Sequence, residues 1–216
     1  MRPTLRALAI AAALASPPTL ARASLLFELP PADPFSAGTL FSDLQHPREA
    51  ASFASLDQPG RVSRVTWWGG YFTFGDPPSP TESSFEIRFF AHTVWGPAET
   101  PFAAAAVTAS VSPFPTALPQ FEYTATLPEP VLLAAFSTYW ISIVDVEPSH
   151  PTFAWRKATE AASSYSRVPG GLAWSETPGI ASVRLEGQFV PEPGTAVLAA
   201  LGIAALAAAR RRPARA

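Results

Sequence analysis

Proline sets the terms on which this chain can fold. It supplies 25 of the 216 residues, and each ring fixes its own φ, removes a backbone donor and turns the preceding residue away from helix. Fifteen phenylalanines, a single lysine and no asparagine complete the pattern. Such a chain builds short aromatic-rich strands separated by proline-broken turns. Without asparagine there is no Asn-Gly hairpin signal, so the turns rest on Gly, Pro, Asp and Ser.

Two-residue periodicity locates the strands. After an edge strand around Phe53 and Leu56, residues 62–70 place Ser63, Val65 and Trp67 on one face and Val62, Arg64, Thr66 and Trp68 on the other. Adjacent tryptophans in a strand face opposite ways, so one is core and its neighbour is exposed or covered by a loop. The glycines Gly69 and Gly70 beside them admit a bulge or a close backbone approach. Phe85, Ile87 and Phe89 alternate with Glu86 and Arg88, the pattern of an antiparallel strand with one wet face. Further strands are predicted over 103–111, 120–127, 131–136, 139–146, 153–157, 172–174 and 182–190, while 158–171 reads as loop. Neither face of 139–146 is polar, which predicts a central strand covered on both sides. About nine or ten strands without an internal repeat predict an all-β fold, a single β-sandwich of jelly-roll type.

Charge and composition remove several functional classes. The chain has no cysteine, hence no disulfide framework and no thiolate metal site. Seven of its 15 basic residues lie in the two ends, whereas all 17 acids fall between Glu28 and Glu192, leaving that portion with a net charge of −9. An acidic surface repels nucleic acid, so no nucleic-acid partner is expected. The only histidines are His46, His92 and His150, and no Gly-x-Ser-x-Gly elbow or His-Glu-x-x-His motif occurs. Two facing carboxylates would suffice for glycoside hydrolysis, but Glu86, Glu122 and Glu186 fall on outer strand faces, where solvated carboxylates are usual. Calcium held by Asp76 or Glu82 has no acidic-loop pattern behind it. A non-enzymatic protein without metal or cofactor is expected.

The ends are targeting segments. Arg2 and Arg6 precede an apolar run from Ala7 to Ala15, and Ala21-Arg22-Ala23 presents small residues at the two positions signal peptidase reads. Cleavage after Ala23 is predicted, with 1–23 a signal peptide for the Sec pathway and 24–48 a loosely ordered entry segment holding one short strand near residues 25–29. The β-sandwich occupies 49–190. At the far end Pro191-Glu192-Pro193 holds the backbone extended, the apolar run of about 195–209 is helix-forming, and Arg210, Arg211, Arg212 and Arg215 place positive charge behind it. Counted from Thr195, 15 residues give about 22 Å of helix against roughly 30 Å of hydrocarbon. That is a thin transmembrane span, with the arginines on the cytoplasmic side by the positive-inside bias.

This arrangement over 191–216 resembles the PEP-CTERM sorting signal of Gram-negative bacteria. The resemblance implies recognition by exosortase, a membrane-embedded cysteine transpeptidase, transient anchoring in the inner membrane, a cut near the motif, and release to the envelope surface or extracellular matrix. Val65-Thr66-Trp67-Trp68-Gly69-Gly70-Tyr71-Phe72, residues 85–91, Tyr139-Trp140-Ile141-Ser142-Ile143, Phe153-Ala154-Trp155 and residues 183–187 resemble a β-rich ectodomain recurring among such proteins. It carries no assigned reaction.

Binding is therefore the leading functional expectation. Exposed planar aromatics stack on pyranose rings beside polar groups that take hydroxyl protons. Trp68 with Arg64 on its face, and Trp155 beside Arg156, are the candidate contacts to extracellular polysaccharide. A purely structural or adhesive envelope role, through self-association, is the alternative.

Overall fold

The computed structural model describes residues 23–32, 39–42, 49–71, 82–114, 120–147, 152–160, 162–168, 171, 173–191 and 202–203. These residues are nearly all β. Thirteen strands follow in order: β1 Ser24–Leu29, β2 Thr39–Phe41, β3 Glu49–Ser55, β4 Gly60–Tyr71, β5 Glu82–Thr93, β6 Gly96–Pro97, β7 Ala103–Phe114, β8 Gln120–Leu133, β9 Thr138–Asp145, β10 Phe153–Arg156, β11 Ser163–Arg167, β12 Ser175–Pro178 and β13 Val183–Phe189.

Ten of them form one hydrogen-bonded path, β1-β13-β4-β8-β7-β5-β9-β3-β11-β12, from which β10 branches to pair with β4 and β2, and β6 pairs with β5. The strands do not divide into the two face-to-face sheets of a sandwich. They make a single sheet that curls into a half-barrel. Long twisted strands coil in this way, and register shifts in β1, β13 and β4 add local bend. The curl brings the first strand of the path to the eighth. Phe27 on β1 meets Phe53 on β3 at a ring separation of 6.2 Å, and Ser52 on β3 donates to the carbonyl of Ala181, just ahead of β13, at 2.7 Å.

The concave face is the core. At its centre Trp67, Phe85, Tyr123 and Phe153 come from β4, β5, β8 and β10, with Trp67 and Tyr123 stacked at 5.6 Å and Phe85 edge-on to Trp67 at 5.0 Å. Phe153 closes the group at 5.1 Å from Phe85 and 5.6 Å from Tyr123. Beyond area burial, each such pair contributes about 0.5–1.5 kcal/mol. Val65, Ile87, Phe89, Ile141, Ile143, Val183 and Leu185 surround the rings, all fully buried. Strand β9 lies between β5 and β3 and is buried on both faces from Trp140 to Asp145.

Several local expectations are corrected. A register shift between Val62 and Arg64 puts Ser63 at a bulge, so Val62 joins Val65 and Trp67 in the core instead of facing out with Arg64. The 158–171 stretch contains β11, whose Ser164 and Ser166 hydroxyls bond across to Thr177 on β12. The strand expected at 172–174 lies at Ser175–Pro178 instead. Within 24–48 the structure adds β2 to β1 and buries Leu29, Ala32 and Leu40. Gly69 shows the close approach its composition allowed, since a Cβ there would lie 2.6 Å from the Ala154 carbonyl on β10.

Candidate functional site: an aromatic and arginine platform

On the convex face, β5, β9, β3 and β11 present side chains outward in register. Phe90 stands opposite Trp140, Trp140 opposite Phe53, and Tyr165 opposite Ala51. Phe90 and Trp140 are buried beneath this face, while Tyr165 and Trp174 cover them and stay half-exposed. The packing is edge-on: Trp140 with Tyr165 at 5.0 Å, Phe90 with Trp174 at 5.3 Å. Trp174 is fixed from the other side by its indole N–H, which donates to the Ala98 carbonyl at 3.1 Å.

A cation lies over two rings of this assembly. The Arg167 guanidinium sits 4.3 Å from the centroid of Trp174 and 5.2 Å from that of Phe90. Its Nε donates to Glu49 at 2.7 Å and its Nη1 to the Glu99 carbonyl at 2.6 Å. The Glu49 side chain is fully buried and accepts a second bond from Arg88 at 3.0 Å, while Arg88 also donates to Glu86 at 2.7 Å. Hydrogen bonding to Glu86 and the charge of Glu49 strengthen protonation of Arg88 against the opposing effect of its burial. One buried carboxylate thus orients two guanidinium groups, and Arg167 in turn holds the ring plane of Trp174.

The β5–β6 hairpin borders the platform. Gly96 takes φ +110, and a Cβ there would lie 2.6 Å from the ring of Tyr165. Only glycine lets the turn rest on that ring. Thr93 ties the turn by donating to the Gly96 carbonyl at 2.9 Å and accepting from the Trp95 N–H at 3.3 Å. At the tip Trp95 is 84% exposed. His92 stands at the foot of the hairpin and accepts from the Trp140 indole at 3.0 Å through Nδ1. Trp95, Tyr165, Trp174, Arg167 and His92 are thereby gathered from three separate stretches of chain.

The residues expected to contact sugar lie elsewhere, and the two tryptophans among them are buried. Trp155 is 0% exposed, part of the core, and donates to the Ser182 carbonyl at 2.7 Å. Arg156 is 1% exposed, bonded through Nε to the Ala32 carbonyl at 3.1 Å and also to Gln120. Trp68 does face outward with Arg64, yet it is only 1% exposed: Arg184 covers its ring at 5.2 Å and Glu122 accepts its N–H at 3.0 Å. Arg64 is exposed and lies 3.7 Å from Glu186. A pyranose needs the open face of a ring, which neither Trp68 nor Trp155 offers.

Among the described residues no group of three or more His, Cys, Asp or Glu is placed to hold a metal. A hollow of about 240 Å³ is lined by Thr39, Leu40, Ala50, Lys157 and Ser166 with neighbours that include no carboxylate.

The last strand leads directly to the tail. Val190 donates to the Pro59 carbonyl at 2.8 Å, and Pro191 is exposed. Residues 189–212 match the family description of the PEP-CTERM protein-sorting motif. The tail is an exosortase sorting signal. None of the curated proteins matches the chain. The PEP-CTERM signal makes this an exported protein that passes through C-terminally membrane-anchored processing to the cell surface. Of the matched residues only 189–191 and the pair 202–203 belong to the described structure. Glu192, Pro193, Arg210, Arg211, Arg212 and Arg215 lie outside the described residues, as do Ala21, His46, Asp76 and His150. Ala23 is described and exposed. No helix among the described residues is long and apolar enough to cross a membrane.

Proposed function

We propose that this is a non-enzymatic, surface-displayed or secreted protein of a Gram-negative envelope, and that its ectodomain contacts extracellular polysaccharide through Trp95, Tyr165 and Trp174, with the nearly buried Arg167 holding Trp174 in place. It reaches that place by a Sec signal peptide cut after Ala23 and by exosortase cleavage near Pro191. The observation that carries the binding reading is Arg167, bonded to the buried Glu49 and 4.3 Å from the Trp174 ring centroid, with Trp174 left half-exposed. This arrangement fixes a half-exposed indole bonded to the Ala98 carbonyl, next to the hairpin whose tip carries the exposed Trp95.

Stacking on the apolar face of a sugar needs such rings to be rigid before the ligand arrives, because ordering a mobile aromatic on binding would consume the gain. Hydroxyl partners are at hand in His92, Thr93 and Glu99, all exposed. The body's net charge of −9 favours neutral over anionic glycans.

Retention of the exported protein on exopolysaccharide from a producing host tests the reading. Trp95→Ala and Trp174→Ala should each weaken retention, the double variant should abolish it, and Trp68→Phe should bind like the parent. Parent protein that fails to bind, or a double variant that binds as well as the parent, would rule the platform out.

A further inference from the structure

Among the described residues the large exposed apolar side chains are Leu25, Val94, Trp95, Phe102, Leu132, Phe136, Val168, Phe189 and Ile203. Four of these gather around the point where the chain leaves the body. Phe189 ends β13 opposite Gly60, which pairs with Leu133 on β8; Leu132 is its neighbour, opposite Arg61. Leu25 lies on β1 opposite Glu186, one position from the Ser24–Gly187 pair. Phe136 occupies the β8–β9 turn and donates its N–H to the Leu56 carbonyl at 2.8 Å, beside the β3–β4 turn that also receives Val190. The start of β1, the end of β13, the start of β4 and the end of β8 form one rim of the half-barrel.

Phe136 is the most telling of the four. It is 82% exposed and takes φ 53, a left-handed conformation that glycine or asparagine adopts with less strain. A bulky apolar ring at a solvent-facing turn, in a backbone conformation unsuited to it, gives the folded chain alone no advantage.

The tail indicates what covers the rim. From Val190, fixed to Pro59, to the start of the apolar run at Ala196 is six residues, at most about 20 Å of extended chain. The headgroup layer outside the hydrocarbon is itself several Å deep. While the tail is in the membrane, the rim stays within roughly 15 Å of the headgroup layer. We propose that this rim docks on the lipid surface during anchoring, with Leu132, Phe136, Phe189 and Leu25 entering the headgroup region. Tethering keeps the effective concentration of bilayer high, so a few partly buried apolar side chains are enough. The acidic body makes the contact apolar and not one of basic residues with anionic lipid.

The absence of native cysteine permits a direct test on the full chain. Leu132→Cys, Phe136→Cys and Ser112→Cys, each labelled with a polarity-sensitive fluorophore, are reconstituted through the tail into phosphatidylcholine vesicles and recovered by flotation. Ser112 is exposed on β7 away from this rim. The label at positions 132 and 136 should shift to the blue and lose emission when nitroxide lipid is included, while the label at 112 should remain water-like. Water-like emission at 132 and 136 would overturn the proposal. So would a blue shift that nitroxide lipid leaves unquenched, since that would place a second copy or another protein on the rim.

Discussion

Ser52 donates its side-chain hydroxyl to the Ala181 carbonyl at 2.7 Å, a buried bond that joins β3 to the segment entering β13. The two elements are far apart along the hydrogen-bonded path, so no ladder connects them. The bond therefore fixes how tightly the sheet curls. Ser52→Ala leaves a buried carbonyl without this donor and should cost about 1–3 kcal/mol. Urea unfolding of the variant should show a lower midpoint at unchanged slope; an unchanged midpoint would mean that the curl is held by packing alone.

Gly187 sits at the β13 register shift, where a Cβ would lie 1.8 Å from the Arg61 carbonyl oxygen on β4. That neighbour is backbone inside a paired strand and cannot step aside. Gly187→Ala should destabilise at or above the usual overpacking range of about 1–3 kcal/mol. It should also loosen β13, which hydrogen exchange would record as lost protection across 183–189 and in its partner β1.

Burial explains a third prediction, concerning pH. Desolvation pushes the phenols of Tyr71 and Tyr123 well above their ordinary range, most strongly for Tyr71, with the Asp145 charge adding to both. In the unfolded chain both ionise near pH 10, while the folded protein keeps them protonated. The unfolded state then binds fewer protons, so their contribution is intact below pH 10 and is lost as pH rises above it. Each tyrosine adds up to about 1.4 kcal/mol per pH unit to that loss. Among the described residues the Tyr123 hydroxyl has no hydrogen-bond partner, so Tyr123→Phe should be neutral or stabilising at pH 7 and should flatten the alkaline loss. Thermal melts between pH 8 and pH 11 provide the comparison.

How much of this was legible beforehand depended on sequence separation. The alternation of Phe85, Ile87 and Phe89 and the apolar faces of 139–146 are local signals, and the structure places both as read. Strict alternation puts Val62 on the outer face, whereas the Ser63 bulge, which belongs to the pairing of β4 with its neighbours and leaves no mark in the β4 sequence itself, turns it into the core. Strand β11 carries no apolar alternation of its own; it is a strand through its pairing with β3 and β12, to which the serine hydroxyls add bonds to Thr177. Trp68 shares the outer face with Arg64, but Arg184 on the neighbouring strand β13, more than 100 residues on in the sequence, covers it. Separate stretches of chain bring Glu49, Arg167 and Trp174 together, so no motif announces the platform. The sorting signal, by contrast, is wholly contiguous and was readable as it stands.

The platform makes its own energetic prediction. Glu49 is fully buried between Arg88 and Arg167, and removing one partner from a buried ion pair typically costs about 3–5 kcal/mol. Glu49→Gln retains the shape without the charge. It should lower stability toward that range, less because Arg88 keeps Glu86, and should also free Arg167 from its position over Trp174. Tryptophan fluorescence would report the second effect: a red shift in Glu49→Gln that is absent when Trp174 is first replaced by phenylalanine.

Processing gives the last test. The body ends at Val190, which is bonded to Pro59, and the exposed Pro191 follows at once. A cut inside β13 would require the strand to be stripped from β4 and β1. The motif beyond it can be gripped without unfolding anything, because each proline keeps the backbone extended. The released protein should therefore retain all of β13 and lack Arg210–Arg215. Replacing Pro191, Glu192 and Pro193 by alanine should leave the full-length chain in the membrane fraction with the fold of the body unchanged. Intact-mass measurement of released and membrane-bound forms decides this. A released form that still carries Arg215 would show that the tail is not cut, and one ending before Phe189 would show that the body must open for cleavage.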